Sequence, residues 1–136
     1  MRLAGKVAII TGGGSGMGRE AARLFAAEGA RVVIADYQGV YGRPVGRETV
    51  DELRAAGYDS RYAECDVSSE AAVNSLVAET VAAYGRLDIL YNNASHGFSS
   101  PFGQGDITDL DLTQWDAMIN NNLKSVFLCC RAALPH

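Results

Sequence analysis

Hydrophobic residues along the chain follow two alternating patterns. Short runs of consecutive apolar, often β-branched residues are typical of strands buried on both faces of a parallel sheet. Between them lie segments with apolar residues every three or four positions, which is typical of amphipathic helices. The predicted strands are 6–10, 31–35, 60–65 and 87–91. The predicted helices are 19–28, 48–56, a third that begins at 68–70 and stops at Gly85, and a fourth that begins near Thr113.

This alternation predicts an α/β protein with a doubly wound parallel sheet and right-handed crossovers. Ligands of such folds bind at the carboxyl edge of the sheet. The ends of the second, third and fourth predicted strands carry polar groups that would meet there. They are Asp36, Asp66-Val67 and Asn92-Asn93-Ala94.

The last predicted helix carries one polar residue on an otherwise apolar side. The six residues of this stripe are Trp115, Met118, Ile119, Asn122, Val126 and Cys130, and Thr113 with Asp116 is expected to form a loose capping pair. A buried amide is costly unless it forms hydrogen bonds, so Asn122 is expected to have partners. A structural asparagine remains the alternative to a functional one.

The most informative segment is the turn between the first predicted strand and helix. It has five glycines within the seven positions 12–18. Glycine permits positive φ and close approach of another group, and the N-terminus of a helix attracts anions. Asp36 follows Gly12 by 24 positions, at the end of the second strand. In dinucleotide-binding folds such an acid accepts hydrogen bonds from the adenosine ribose and repels a 2′-phosphate.

The glycine spacing separates several kinds of nucleotide loop. A P-loop is excluded because Gly18 is followed by Arg19-Glu20 instead of lysine and a hydroxyl residue. The G-x-G-x-x-G form is not met from Gly12, because position 17 is methionine. The spacing that remains is T-G-x-x-x-G-x-G over 11–18. A purely structural glycine-rich turn, with Asp36 as a solvent-facing acid, is the alternative.

Composition narrows the expected partners. The chain has 136 residues, enough for one domain with a modest core, and a net charge of −4, which gives no reason to expect nucleic acid or anionic membranes. It contains no apolar run that could span a bilayer and no signal-peptide pattern at its N-terminus. Its three cysteines favour reduced thiols in a cytoplasmic protein. Its two histidines lack the spacing of metal ligands, so no metal is expected.

The chain resembles the classical short-chain dehydrogenase/reductase family over essentially its whole length. The resemblance rests on T-G-x-x-x-G-x-G at 11–18, the acid at Asp36, C-D-V at 65–67, N-N-A at 92–94, and the segment 115–127 with Asn122. It implies that residues 1–136 form a single NAD-binding, Rossmann-type domain with the first four strands and their helices. The domain is expected to be incomplete at its C-terminal end.

The resemblance also implies roles for individual residues. The cofactor pyrophosphate and its adjoining ribose would be held by Gly12, Ser15, Gly16, Met17 and Gly18. Asp36 would select NAD over NADP, Asp66 and Val67 would contact the adenine, and Asn93, Ala94 and Ser95 would lie at the nicotinamide-side ribose. Asn122 would be the catalytic residue of this segment, holding a water in a proton relay.

Two positions near the ribose depart from the family pattern or extend it. Ser95 stands where the family usually has glycine, so small adjustments are expected there. His96 follows in a segment that borders the expected substrate entrance. It is interpreted either as a substrate contact or as a solvent-facing loop histidine.

The family's catalytic serine and Tyr-x-x-x-Lys pair do not occur in this chain. Its lysines are Lys6 and Lys124, and neither follows a tyrosine at that spacing. We therefore expect the cofactor-binding half of an NAD-dependent oxidoreductase that interconverts a small-molecule alcohol and a carbonyl. Strand 87–91 would then be an exposed sheet edge. Family members assemble through the last helix and the next one, which implies a homo-oligomer, a dimer or a tetramer.

Two other functions remain open at this stage. One is an NAD-sensing binding module, or pseudoenzyme, without turnover. The other is a structural fragment that folds only with a partner.

Overall fold

The protein forms a four-stranded parallel sheet with the strand order β3-β2-β1-β4. The computed structural model describes residues 1–37, 44–95 and 106–136. The chain moves outward from β1 in one direction and then returns to its other side, as expected for a doubly wound sheet. The strands are β1 (Val7–Thr11), β2 (Arg31–Asp36), β3 (Ser60–Glu64) and β4 (Ile89–Tyr91).

Helices alternate with these strands as the sequence predicts. They are α1 (Gly16–Ala27), α2 (Val45–Ala55), α3 (Glu70–Tyr84), α4 (Leu112–Ile119) and α5 (Ser125–Ala133), with a 3₁₀ turn at Ile107–Asp109. Ser69 caps α3 by accepting a hydrogen bond from Ala72 N at 3.4 Å, and Gly85 ends it with φ +75°. Both α1 and α2 begin three residues before the predicted starts.

The core lies on both faces of the sheet. On one face, Ile9 and Val33 pack with residues of α3 and α5. On the other face, Ile10 and Ile34 pack with residues of α1 and α2. Because successive strand residues point to opposite faces, the continuous apolar runs of β1 and β2 fill both layers. The helices therefore cover both faces of the sheet. The loops that follow the strands lie at its carboxyl edge.

The prediction for the last helix is wrong in two respects. Asp111 and Gln114 form the capping box, and the expected Thr113–Asp116 pair does not cap the helix. A π turn at Asn120–Lys124 separates α4 from α5. Such a turn changes the residues per turn and bends the helix, so one apolar period cannot run through both segments. The buried side of α5 is formed by Ser125, Leu128 and Cys129 instead of the predicted stripe.

The strand β4 lies at one edge of the sheet, as expected. Near it, the π turn and α5 leave large apolar side chains in contact with solvent, including Leu123 on the turn and Phe127 on the helix. Phe127 is 59% exposed. Among the residues that the structure describes, no helix combines the length and apolar character needed to cross a membrane.

Candidate nucleotide-binding site

The glycine loop between β1 and α1 presents the N-terminus of α1 at the carboxyl edge of the sheet. The first helical hydrogen bond runs from Arg19 N to Ser15 O at 3.1 Å. The N–H groups of Gly16, Met17 and Gly18 precede it and have no partner within the helix. The Ser15 hydroxyl does not cap α1, and Met17 is 77% exposed. The three backbone N–H groups at the start of α1 can therefore donate to an anion.

The glycines of the loop serve two different purposes. A Cβ at Gly18 would overlap the carbonyl oxygen of Gly12 and lie 2.5 Å from Asn93 Nδ2. A Cβ at Gly12 would lie 2.8 Å from the Cα of Ala94. Packing alone thus requires glycine at these two positions. At Gly16, with φ +50°, an added Cβ would meet open space within the described part of the chain, which leaves room for a ligand.

Thr11 and Asn93 fasten the loop to the end of β4. Thr11 Oγ1 accepts hydrogen bonds from the N–H groups of Asn93 and Ala94, both at 3.0 Å. The side-chain amide of Asn93 donates to Thr11 O at 3.0 Å and to Gly12 O at 3.2 Å. The amide nitrogen of Asn93 is therefore committed to shaping the loop. Ala94 and the exposed Ser95 follow at the same edge.

Asp36 lies at the end of β2, half-buried beside the loop. Its Oδ2 accepts a hydrogen bond from Gly14 N at 2.7 Å, and its Oδ1 accepts one from Tyr37 N at 2.8 Å. Burial raises the pKa of this carboxyl, while the two backbone N–H donors favour the ionised form and oppose the effect. Each oxygen retains capacity for a further donor, such as a ribose hydroxyl.

Helix α2 packs directly against the glycine loop, a contact that sequence reasoning missed. A Cβ at Gly14 would lie 2.6 Å from the backbone nitrogen of Gly46. The fully buried Thr49 places its Oγ1 3.3 Å from Gly14 O. The one available signal was that Thr49 adjoins Val50 on the apolar side of the predicted helix.

Asp66 and Val67 follow β3 at the same edge. The Oδ1 atom of Asp66 accepts hydrogen bonds from the N–H group and the hydroxyl of Ser68, at 2.9 and 2.7 Å. This local turn leads into α3. The side chain of Val67 is buried in the core that contains α3. Its side chain therefore contributes mainly to packing.

Asn122 lies in the π turn between α4 and α5 and is half-buried. Such turns are frequent at functional sites, because they break the regular helical spacing of side chains. Asn92 Nδ2 donates to Cys130 Sγ at 3.4 Å and so ties the end of β4 to α5. The structure thus brings the loop, Asp36 and 93–94 together around one edge. His96 lies outside the described residues.

Comparison with known proteins identifies the family. The family model for short chain dehydrogenases matches residues 6–136. The chain belongs to the short-chain dehydrogenase family. The resemblance inferred from the sequence motifs is confirmed, and the match includes the glycine loop, Asp36 and the π turn.

Curated members of the short-chain dehydrogenase family align with nearly all of this chain. It is 41% identical over 132 residues to secoisolariciresinol dehydrogenase from Forsythia intermedia. It is 40% identical over 134 residues to 2,5-dichloro-2,5-cyclohexadiene-1,4-diol dehydrogenase LinX from Sphingobium indicum. These alignments take in 97% and 98% of this chain, but 44% and 50% of the two relatives. The chain therefore spans about half the length of the curated relatives it matches.

A solved structure of this short-chain dehydrogenase family confirms the Rossmann-type fold. It is the crystal structure of a short chain dehydrogenase from Burkholderia cenocepacia J2315 in complex with NADP. The TM-score is 0.88 at 34% identity, over 100% of this chain and 52% of that chain.

Proposed function

We propose that this chain binds NAD at the carboxyl edge of its sheet. The complete protein would then interconvert a small-molecule alcohol and a carbonyl by hydride transfer. Residues 1–136 would form the cofactor-binding domain, with the remaining catalytic groups supplied by sequence beyond it. The observation that carries the proposal is the position of Asp36, hydrogen-bonded to the glycine loop through Gly14. The family's curated dehydrogenases support the reaction class.

The loop fits a pyrophosphate. The free N–H groups at the start of α1 and the open space at Gly16 provide an anion site of the kind that helix termini form. Ser15, whose side chain does not cap α1, adds a hydroxyl beside it. In this proposal Gly12, Ser15, Gly16, Met17 and Gly18 hold the pyrophosphate and the adjoining ribose.

The choice of NAD over NADP rests on Asp36. Its carboxylate can accept hydrogen bonds from the ribose hydroxyls, whereas a 2′-phosphate would bring like charge against it. The solved relative from Burkholderia cenocepacia is complexed with NADP. The acid at position 36 is the feature of this chain that supports NAD instead.

The remaining residues would complete the cofactor site. Asp66 and Val67 are proposed at the adenine, and Asn93, Ala94 and Ser95 at the nicotinamide-side ribose. The bound nicotinamide supplies the hydride acceptor or donor. Asn122 is proposed to hold a water for proton transfer, from a turn whose irregular backbone leaves groups outside the regular helical pattern.

The test is a titration of the purified complete protein, including the sequence beyond residue 136, with NAD and NADP, followed by an assay with a panel of alcohols and carbonyls. Saturable NAD binding that weakens in Asp36→Ala, together with alcohol-dependent formation of NADH, is the expected result. Binding without turnover would favour the NAD-sensing alternative. Absence of saturable binding would contradict the proposed cofactor.

We further propose that the protein is a homo-oligomer, a dimer or a tetramer. The apolar surface at the end of α4, the π turn and α5 supports this, since Ile119, Leu123 and Phe127 help to line a groove of about 460 Å³. Sedimentation of the purified protein and of Phe127→Gln tests it. A dimer or tetramer that dissociates in the variant is expected, and a monomeric wild-type protein would contradict it.

A cytoplasmic location is also proposed. Cys65, Cys129 and Cys130 are all free thiols, which is the usual state in a reducing compartment. Fractionation of cells that express the complete protein tests this location.

A further inference from the structure

Thr49 is a fully buried polar residue on α2 with two hydrogen-bond acceptors. Its Oγ1 lies 3.1 Å from Val45 O and 3.3 Å from Gly14 O. The bond to Val45 is the ordinary bond of a helical threonine to the carbonyl four residues earlier. Gly14 belongs to the glycine loop between β1 and α1. One hydroxyl proton is therefore shared between the helix and the loop.

Gly14 is held on two sides. Its carbonyl lies against Thr49, while its N–H donates to Asp36 Oδ2 at 2.7 Å. A Cβ at this position would come within 2.7 Å of that same carboxylate oxygen. The location of Gly14 thus determines where one oxygen of Asp36 lies.

We infer that Thr49 is a positioning residue that sets the preference for NAD over NADP by holding Gly14 against Asp36. This inference rests on the NAD binding proposed above. Thr49 is buried and acts through Gly14, so it needs no contact with the cofactor. Its contribution is to keep the carboxylate where it meets the ribose hydroxyls.

Loss of the hydroxyl has a different effect on each cofactor. Without it, Gly14 can shift and Asp36 Oδ2 loses a fixed donor, so the hydrogen bonds to the NAD ribose become weaker. A carboxylate that can turn away also repels a 2′-phosphate less. One hydrogen bond of ordinary strength corresponds to roughly a threefold to tenfold change in Kd. We therefore expect weaker NAD binding and a ratio of NADP Kd to NAD Kd that falls by at least about threefold.

The experiment compares Thr49→Val with a matched control, Thr80→Val. Thr80 is also buried in a helix and donates to the carbonyl four residues earlier, Leu76 O, at 2.8 Å, but it lies on α3. Both variants lose a buried hydroxyl of the same kind. Only Thr49→Val is expected to change the Kd ratio, measured by calorimetric titration with each cofactor. Thr49→Ser, which keeps the hydroxyl, is expected to retain most of the wild-type ratio of NADP Kd to NAD Kd.

The outcomes separate the inference from the proposed function. If the wild-type protein prefers NAD and Thr49→Val keeps the wild-type ratio, the inference is overturned and NAD binding stands. An equal fall of the ratio in Thr80→Val also overturns it, because the effect would then reflect stability alone. If the wild-type protein does not bind NAD, both are overturned. Should Thr49→Val fail to fold, Thr49→Cys, with its weak S–H donor, is expected to lower the ratio in the same direction, and an unchanged ratio overturns the inference.

Discussion

The backbone N–H of Gly14 donates a hydrogen bond to the carboxylate of Asp36, with 2.7 Å between nitrogen and oxygen. The loop that follows β1 and the acid that ends β2 are thereby one structural unit. A group bound by the loop and a group bound by the acid are held at a fixed relative position. This coupling suits a ligand with a phosphate at one end and a hydroxylated ring at the other.

Asp36→Asn is expected to reverse part of the cofactor preference. The amide keeps the size of the side chain but removes the negative charge, so NAD loses charge-assisted hydrogen bonds and NADP loses a repulsion. Hydrogen bonds to charged groups contribute about 1.5–3 kcal/mol, which corresponds to NAD binding weaker by roughly tenfold or more. Calorimetric titration with both cofactors measures this.

The control for this variant is Asp51→Asn, which removes the same charge from an exposed position on α2. It is expected to leave both dissociation constants unchanged. An Asp36→Asn protein with the wild-type NAD affinity would contradict the role given to the carboxylate.

Gly18→Ala is expected to destabilise the protein although the residue lies in a helix. Alanine ordinarily favours a helix over glycine by about 1 kcal/mol. Here its Cβ would overlap the backbone carbonyl of Gly12, and overpacking against backbone typically costs about 1–3 kcal/mol. We expect a net loss in the free energy of unfolding, measured by urea denaturation, together with weaker NAD binding.

Gly57→Ala provides the comparison for that prediction. Its φ is +87° and an added Cβ would meet open space within the described structure, so strain is the main cost. Gly57 lies outside the glycine loop, so the Gly57→Ala variant should bind NAD as the wild type does. A Gly18→Ala protein with the unfolding free energy of the wild type would contradict the expected overlap with Gly12 O.

Thr11→Val tests the connection between the loop and β4. The variant keeps the shape of the side chain, but the N–H groups of Asn93 and Ala94 lose their shared acceptor. Each unsatisfied buried donor costs about 1–3 kcal/mol. The expected result is a loss of unfolding free energy of about 2 kcal/mol or more, measured by chemical denaturation. Thr11→Ser retains the oxygen and should keep most of the wild-type free energy of unfolding. A Thr11→Val protein of wild-type stability would rule out this role.

Glu52 is expected to make the protein less stable in acid. Hydrogen bonds from Arg23 and Arg19 lower the pKa of its carboxyl from 4.5 to about 2. Because the folded-state pKa is depressed, the stabilisation is present above the unfolded-state pKa and is lost as the pH falls toward 2. Glu52→Gln should therefore flatten the dependence of the unfolding free energy on pH between about 4.5 and 2. The effect should shrink in high salt, because the carboxylate is partly exposed.

Removing Arg23, the main partner of Glu52, gives an independent check on the loss of stability in acid. Arg23→Met takes away the hydrogen bonds to Glu52 and should reproduce part of the flattening. If Glu52→Gln retains the full pH dependence of the wild type, the acid sensitivity comes from other carboxylates.

The order of strands and helices was predictable because apolar periodicity reflects burial directly. The start of α1 was not, since α1 begins at Gly16, whose φ is +50°, and continues through Gly18 despite the low helix propensity of glycine. The face of α5 could not be predicted either. It depends on the π turn at Asn120–Lys124, which has no counterpart in a simple helical period.

The candidate site was predictable as a set of strand ends, but its internal contacts were not. Asp36 and the glycine loop follow adjacent strands, so the fold alone brings them to one edge. The sequence could not show that Thr49 reaches the loop. The position of Thr49 next to Val50 indicates a place near the apolar side of the helix, but it does not show that α2 packs against Gly14.

The hydrogen bond between Thr11 Oγ1 and Ala94 N joins residues that are 83 positions apart. Closing so long a loop carries an entropic cost that local contacts do not. The glycine loop is synthesised well before these partners, and it lacks them until β4 and the segment after it have left the ribosome. The glycine loop therefore takes its final shape only when the fourth strand docks beside the first.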